Sequence, residues 1–162
     1  MIYTPVFLFN GAMCIGAALF ASFAKEGRRE SFQCAVALGI NFLLCAMVLV
    51  SPIPLLSIKE TWMIADTALG AFCVLAGYRY WWGYAMCALA MAQILLHAAM
   101  MEHAIDGQRY SGTLDVVLHA QMAVFFIIGG RGVSDLLRNS LAEFSSPRRS
   151  HEAAGDCSEA ER

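Results

Sequence analysis

The chain has 162 residues, 59% of them hydrophobic, and its mean hydropathy is +0.57. A soluble domain of this size has too much surface to hide so many apolar side chains, so the composition argues against a soluble globular protein. The net charge is −2 and no basic patch with interleaved aromatic residues is visible, so nucleic acid is not expected as a partner.

Five apolar stretches, separated by short charged joints, follow one another along the chain. Each is close to the ~17–25 residues that a helix needs to cross a hydrocarbon core of roughly 30 Å. The predicted helices are residues 3–24, 32–51, 61–79, 80–101 and 113–130. The sequence therefore predicts an all-α, polytopic transmembrane bundle of five helices within residues 1–130, with the lipid bilayer as its surroundings.

A break between the third and fourth helices is predicted around Arg79. Gly77 and Gly83 flank this residue together with a cluster of Tyr and Trp side chains. Glycine permits tight turns, and aromatic rings of this kind prefer the membrane interface. The alternative is a single helix over residues 61–101, which would leave four spans instead of five.

The distribution of positive charge predicts the orientation. With the N-terminus outside, nine of the eleven Lys and Arg residues lie in the first joint, the third joint and the C-terminal tail, all on the cytoplasmic side. Only Lys59 and Arg109 then face outward. Because positive residues are enriched in cytoplasmic segments, five spans with a cytoplasmic C-terminus are favoured over four.

The segment after the fifth helix changes character. Residues 131–144 carry an apolar stripe at helical spacing with charged residues beside it, which predicts a short amphipathic helix on the cytoplasmic surface. The alternative is an extension of the fifth helix. Residues 145–162 contain few apolar side chains and mixed charge, and they predict a disordered tail.

Small residues predict where the helices approach each other closely. Lipid competes for apolar side chains, so helices in a membrane associate through small residues and interhelical hydrogen bonds. In the first helix we expect Gly16, Ala17 and Ala21 to serve this purpose. Asn41, near the middle of the second helix, is expected to bond across a helix pair, with a pore-lining role as the alternative.

Four ionisable residues are expected at similar depth in the outer half of the bundle. They are Asp66, His97, Asp115 and His119, on the third, fourth and fifth helices. Ionisable groups within a membrane usually face the bundle interior or a wet cavity. Three interpretations remain open: a structural hydrogen-bonded cluster, a haem or transition-metal site with His97 and His119 as ligands, or part of a proton or ion path.

Signatures of soluble enzymes are missing from the sequence. It contains no GxSxG, P-loop or HExxH motif, and no GxGxxG in a strand–helix context. We therefore expect a protein that is not an enzyme, and we predict no cofactor in the leading interpretation.

One group of short motifs lies within about residues 60–132. It consists of Trp81-Trp82, Ala92-Gln93, His97, Asp115, Ala120-Gln121, Val124-Phe125-Phe126 and Gly129-Gly130. In these motifs the chain resembles small membrane proteins encoded by phages and prophages of Gram-negative bacteria, some of which are grouped with the holins. Holins are small multi-helix proteins of the inner membrane with a short charged cytoplasmic tail. They usually have one to four helices, whereas five are predicted here.

The resemblance implies a multi-pass protein of the bacterial inner membrane that self-associates, or packs with a membrane-protein partner, and makes the membrane permeable. A haem- or metal-binding membrane protein that uses His97, His119 and nearby acids is the second hypothesis. A small transporter or an accessory subunit of a membrane complex is the third.

Overall fold

The computed structural model describes residues 4–50 and 58–145, and this part of the chain is almost entirely helical. The helices are α1 (Thr4–Ala21), α2 (Arg28–Val50), α3 (Ile58–Gly77), α4 (Trp81–Met101) and α5 (Gly107–Ser145). No strand occurs within the described residues. The predicted all-α architecture of five helices is confirmed.

The turn between α3 and α4 depends on two glycines in contact. The Tyr80 backbone N–H donates to the Gly77 carbonyl oxygen, 2.9 Å away. A Cβ atom added to Gly83 would lie 2.2 Å from that same oxygen, so no larger residue fits without moving the backbone. The predicted break is therefore present, and the single helix over residues 61–101 is wrong.

The turn between α1 and α2 is closed by a buried hydroxyl group. The Ser31 hydroxyl oxygen lies 3.1 Å from the carbonyl oxygen of Ala21, the last residue of α1. Helix ends leave carbonyl groups without partners inside the helix, and this contact satisfies one of them. Gly27 precedes α2 with a φ of +61°, and the Tyr80 ring occupies the space that a Cβ atom would need.

The five helices form a closed ring in chain order. Each packs against its neighbours in sequence, and α5 returns to pack against α1, while α2 and α5 touch only briefly across the middle. Ring contacts show that α1 and α5 are parallel, because Phe9 lies against His119 and Phe20 against Phe126. Thr4 and Ser145 therefore point to opposite ends of the bundle.

Small residues bring α1 and α5 together. Ala17 and Ala21 are fully buried, and a Cβ atom on Gly16 would lie 3.2 Å from the Phe126 ring. On the facing helix, a Cβ atom on Gly129 would lie 2.0 Å from the Phe20 carbonyl oxygen. The expected packing role of the small α1 residues thus has a specific partner, the glycine-bearing side of α5.

Helix α5 extends beyond both predicted ends. It begins at Gly107 rather than 113, because the Asp106 carboxylate accepts a hydrogen bond from the Arg109 backbone N–H at 2.8 Å and caps the first turn. At the other end, residues 131–144 continue the same helix and do not form a separate one. Gly129 and Gly132 serve the contact with α1 and the turn that follows it, and none of the glycines near residue 130 ends the helix.

The polarity of the bundle is inverted relative to that of a soluble protein. Large apolar side chains lie on the outside, and Leu75, for example, is 76% exposed. Polar side chains lie inside instead: Asn10, Ser31, Asn41, Asp66, Gln93, His97 and Gln121 are all buried. Three helices, α2, α4 and α5, are long and apolar enough to cross a membrane. This arrangement suits a surrounding of lipid.

The disordered tail predicted over residues 145–162 lies outside the described part of the chain, except for Ser145, which is the last residue of α5.

Candidate functional site

Asp66 is buried in the ring and accepts hydrogen bonds from two neighbouring helices. The Asn41 amide nitrogen, on α2, lies 2.7 Å from Asp66 Oδ1. His97 Nε2, on α4, lies 2.7 Å from Asp66 Oδ2. Both carboxylate oxygens are therefore engaged, and a side chain that would be expensive to bury alone links three helices.

Tyr110 extends this arrangement to α5. Its hydroxyl oxygen lies 2.6 Å from His97 Nδ1, and both side chains are buried. When the hydroxyl donates to Nδ1, a neutral imidazole carries its proton on Nε2 and donates it to Asp66. We call the series Asn41–Asp66–His97–Tyr110 the polar chain. It connects α2, α3, α4 and α5, one residue from each.

Trp62 covers the polar chain. Its indole Nε1–H donates to the Cys45 carbonyl oxygen at 3.1 Å, and its ring centroid lies 6.0 Å from that of His97. The indole thereby joins α3 to α2 and forms part of the wall around His97.

A second polar contact lies on α4 one turn before His97. The Gln121 amide nitrogen donates to Gln93 Oε1 at 2.6 Å, linking α5 to α4. Gln121 Oε1 is buried without a partner among the described residues. Amide pairs of this kind hold helices together within a membrane.

A partly enclosed cavity of about 210 Å³ lies beside the polar chain. All five helices contribute to its wall, so it lies on the axis of the ring. The lining residues are Phe7, Asn10, Asn41, Phe42, Cys45, Ala46, Trp62, Asp66, Gln93, His97, Leu114, Asp115 and Leu118. They come from the half of the bundle that contains the N-terminal ends of α1, α3 and α5.

The other half of the bundle is filled. Large or tightly packed side chains occupy the axis beyond the cavity, and each is at most 1% exposed: Leu38, Cys34, Cys73, Trp82, Met86, Met122 and Phe125. Trp82 and Phe125 lie against each other with their ring centroids 6.4 Å apart. The cavity is therefore closed toward the end of the bundle where α3 and α4 meet.

The polar atoms of the cavity wall are mostly hydrogen-bond acceptors. Asn10 is 4% exposed, and its Oδ1 atom has no partner among the described residues. Asp115 is half-buried in the same wall. Asp66 is the second carboxylate, whereas the lining residues include neither Lys nor Arg. The wall thus combines negative charge with an unsatisfied acceptor.

The structure separates the four ionisable residues predicted to lie together. Asp66 and His97 are in contact, and Asp115 lines the same cavity. His119, one turn further along α5, does not line it. Its ring lies against Phe9 at 6.0 Å, and its Nε2 atom is buried without a partner in the described part. Asp115 and His119 are four residues apart on the same broad face of α5, yet Asp115 lines the cavity whereas His119 lies against α1.

The geometry does not favour a haem or metal site on these histidines. Both ring nitrogens of His97 already have partners, Asp66 and Tyr110, so neither is free to bind a metal. Within the described residues, no group of three or more His, Cys, Asp or Glu side chains is arranged to hold a metal ion.

Tyr110 is the functional-site residue that sequence reasoning missed. The predicted start of the fifth helix at residue 113 leaves Tyr110 in a loop. Asp106 was the available signal, since a carboxylate that precedes a helix by one residue is a common N-terminal cap. A helix that begins at Gly107 places Tyr110 in its first turn, next to the last turn of α4.

No protein family, no curated protein and no solved structure was found to match this chain.

Proposed function

We propose that the protein is an integral membrane protein with five spans, its N-terminus outside and its C-terminus in the cytoplasm. Three observations support this: three helices long and apolar enough to span, apolar side chains directed outward, and polar side chains directed inward. The alternating direction of five helices and the charge bias of the joints favour the orientation. The holin-like resemblance favours the bacterial inner membrane.

We further propose that its function is to bind a small ligand in the cavity of the outer half. The observation that carries this proposal is the buried acceptor Asn10 Oδ1, which has no partner among the described residues and belongs to the wall of an axial cavity. Buried polar atoms are nearly always hydrogen-bonded, so an unpaired one beside a space of this size indicates a missing partner. A cleft with a few convergent polar groups is the usual form of a small-molecule site.

Access to this site is from the outer face. The packed residues around Trp82 and Phe125 close the axis toward the cytoplasm, so the arrangement is that of a pocket and not of a continuous pore.

Holin-like permeabilisation stays a prediction with less support than ligand binding. It requires polar side chains to turn toward water when copies associate, whereas Asn41, Asp66 and His97 bond to one another within one chain. Induced expression that collapses the membrane potential would favour it. Intact potential and growth would count against it.

Cys45 offers a test of the proposed pocket, because it lines the cavity and is half-buried. The other five cysteines are replaced by Ala, and the variant is placed in right-side-out and inverted vesicles. Small, charged, membrane-impermeant methanethiosulfonate reagents are expected to modify Cys45 only from the outer face.

The matched control is a chain without native cysteines that carries Met47→Cys. Met47 is 64% exposed on the outside of the same helix, where the proposed surrounding is lipid, and its thiol should not react. Cys45 that is inert from both faces, or reactive only from the inner face, would overturn the proposed function.

A further inference from the structure

The ligand class can be inferred from the charges in the cavity wall, on the basis of the proposed function. Two carboxylates, Asp66 and Asp115, belong to the lining, and its only basic group is the His97 imidazole. The His97 imidazole already contacts Asp66, so no basic side chain of the lining is left for Asp115. Charge buried in a membrane protein is normally paired, so the wall lacks a positive charge.

The two carboxylates differ in availability. Both oxygens of Asp66 already accept hydrogen bonds, from Asn41 and His97. Asp115 belongs to the same wall but is not a member of the polar chain. Asp115 is therefore the group that can pair with a ligand, while Asp66 belongs to the same wall with both of its oxygens already engaged.

Aromatic rings form another part of the wall. Phe7 and Phe42 stack with their ring centroids 5.1 Å apart, and Trp62 closes the side next to His97. The faces of aromatic rings carry partial negative charge and attract organic cations. Leu114 and Leu118 complete an apolar surface around the charged and polar atoms.

We infer that the cavity binds a small organic cation of the ammonium class, with Asp115 as its counter-ion and Phe7, Phe42 and Trp62 around its alkyl groups. Asn10, whose Oδ1 atom has no partner among the described residues, belongs to the same wall. An anion would meet two carboxylates, and a bare metal ion would need several oxygen ligands, whereas this wall is largely apolar.

Size supports an organic cation. A cavity of about 210 Å³ is far larger than a single inorganic ion. It is smaller than the ~300–1,000 Å³ typical of pockets for drug-sized molecules, so the ligand has few non-hydrogen atoms.

The test uses two probes of the same shape and different charge. Choline carries a trimethylammonium group, and 3,3-dimethyl-1-butanol replaces that group with a neutral tert-butyl group. Equilibrium binding of radiolabelled choline is measured on the purified full chain in detergent, with the neutral alcohol as competitor. Choline is expected to bind at least roughly tenfold more tightly than the alcohol, because a desolvated cation gains from both the carboxylate and the rings.

Variants of Asp115 separate a charge effect from a folding effect. Asp115→Asn is expected to weaken choline binding roughly tenfold or more, whereas Asp115→Glu keeps the charge and should keep most of the binding. Glu102→Gln removes an exposed carboxylate at the same end of the bundle and should leave binding unchanged. Thermal unfolding without ligand checks that each variant is folded.

Several results would overturn the inference: equal binding of choline and the neutral alcohol, unchanged choline binding in folded Asp115→Asn, or no choline binding. If Cys45 still reacts from the outer face, such a result rejects the cationic ligand and leaves the pocket in place. If Cys45 is also inert from that face, the proposed function fails as well.

Discussion

At the scale of single residues, the polar chain shows how one buried carboxylate is accommodated. Asp66 accepts from Asn41 and His97, and His97 is held on its other side by Tyr110. Each hydrogen bond lowers the free-energy cost of burying the next polar side chain in the low-dielectric interior. This matters because leaving a buried polar group unpaired costs more free energy than one hydrogen bond contributes. Removing the last member should therefore affect the whole series.

The first prediction is that Tyr110→Phe destabilises the protein by about 1 kcal/mol, because His97 Nδ1 is left buried without a partner. Unfolding of the purified protein by SDS in mixed micelles measures the change. The control is Tyr84→Phe, which removes a hydroxyl from a residue that is 66% exposed and should have little effect. Equal stability of the two variants would mean that the Tyr110 hydroxyl contributes nothing.

His97 and Tyr110 also illustrate what residue-level reasoning can and cannot predict. The positions of the ionisable residues along the predicted helices were enough to predict that Asp66 and His97 lie at similar depth. Tyr110 could be placed only once the first turn of α5 was known. Successive helix residues are separated by about 100° around the helix axis. When the predicted start of a helix is several residues too late, the residues of its first turn are given no helical face, so their direction toward the core is not predicted.

At the scale of elements, the contact between α1 and α5 depends on glycine. Gly129 and Gly132 lie so close to the Phe20 and Phe23 carbonyl oxygens that added Cβ atoms would lie 2.0 and 1.6 Å from them. Such close approach of backbones is how helices associate when apolar burial offers no advantage over lipid. The neighbouring Gly130 has nothing within 4 Å of its Cβ direction.

The second prediction compares these adjacent glycines. Gly129→Ala should destabilise the bundle by about 1–3 kcal/mol or more, because the methyl group pushes α1 away from α5. Gly130→Ala should be neutral or stabilising by up to about 1 kcal/mol, since alanine favours helix and has open space here. SDS unfolding measures both, and equal effects would show that the close contact does not exist.

The third prediction concerns the α3–α4 turn. Gly83→Ala should destabilise the protein by about 1–3 kcal/mol through the clash with the Gly77 carbonyl oxygen. Gly112→Ala is the control, because it is also a helical glycine and nothing lies within 4 Å of its Cβ direction. Thermal unfolding in detergent reports both, and a stable Gly83→Ala would contradict this account of the turn.

At the scale of the whole molecule, the odd number of helices places Thr4 and Ser145 at opposite ends of the bundle, because α1 and α5 are parallel. Near the end where α1 finishes, Lys25 forms an ion pair with Asp135 of α5 and ties the first turn to the last helix. This end holds Arg28, Arg29 and Arg79, as the positive-inside pattern expects.

The fourth prediction is that reporter fusions place the two termini in different compartments. Alkaline phosphatase, active only outside the cytoplasm, should be active when fused to the N-terminus and inactive when fused to the C-terminus. Green fluorescent protein, exported unfolded, should fluoresce at the C-terminus alone. Both termini in one compartment would exclude five spans.

The sequence by itself determined the number of helices, because runs of about 20 apolar residues and the glycine-flanked break near Arg79 are local signals. It also determined the inverted polarity and the charge asymmetry of the joints. The presence of Asp66 and His97 at one depth followed from helix length and rise alone.

Only the tertiary structure decided which of these groups share one space. The closing contact of α5 with α1, the extension of α5 over residues 107–145 and the departure of His119 toward Phe9 all depend on how the helices are rotated against each other. Rotation is set by contacts between residues far apart in sequence, such as Gly129 with Phe20. The hydrophobic pattern of the sequence does not predict the rotation of these helices, because they are apolar on nearly every side.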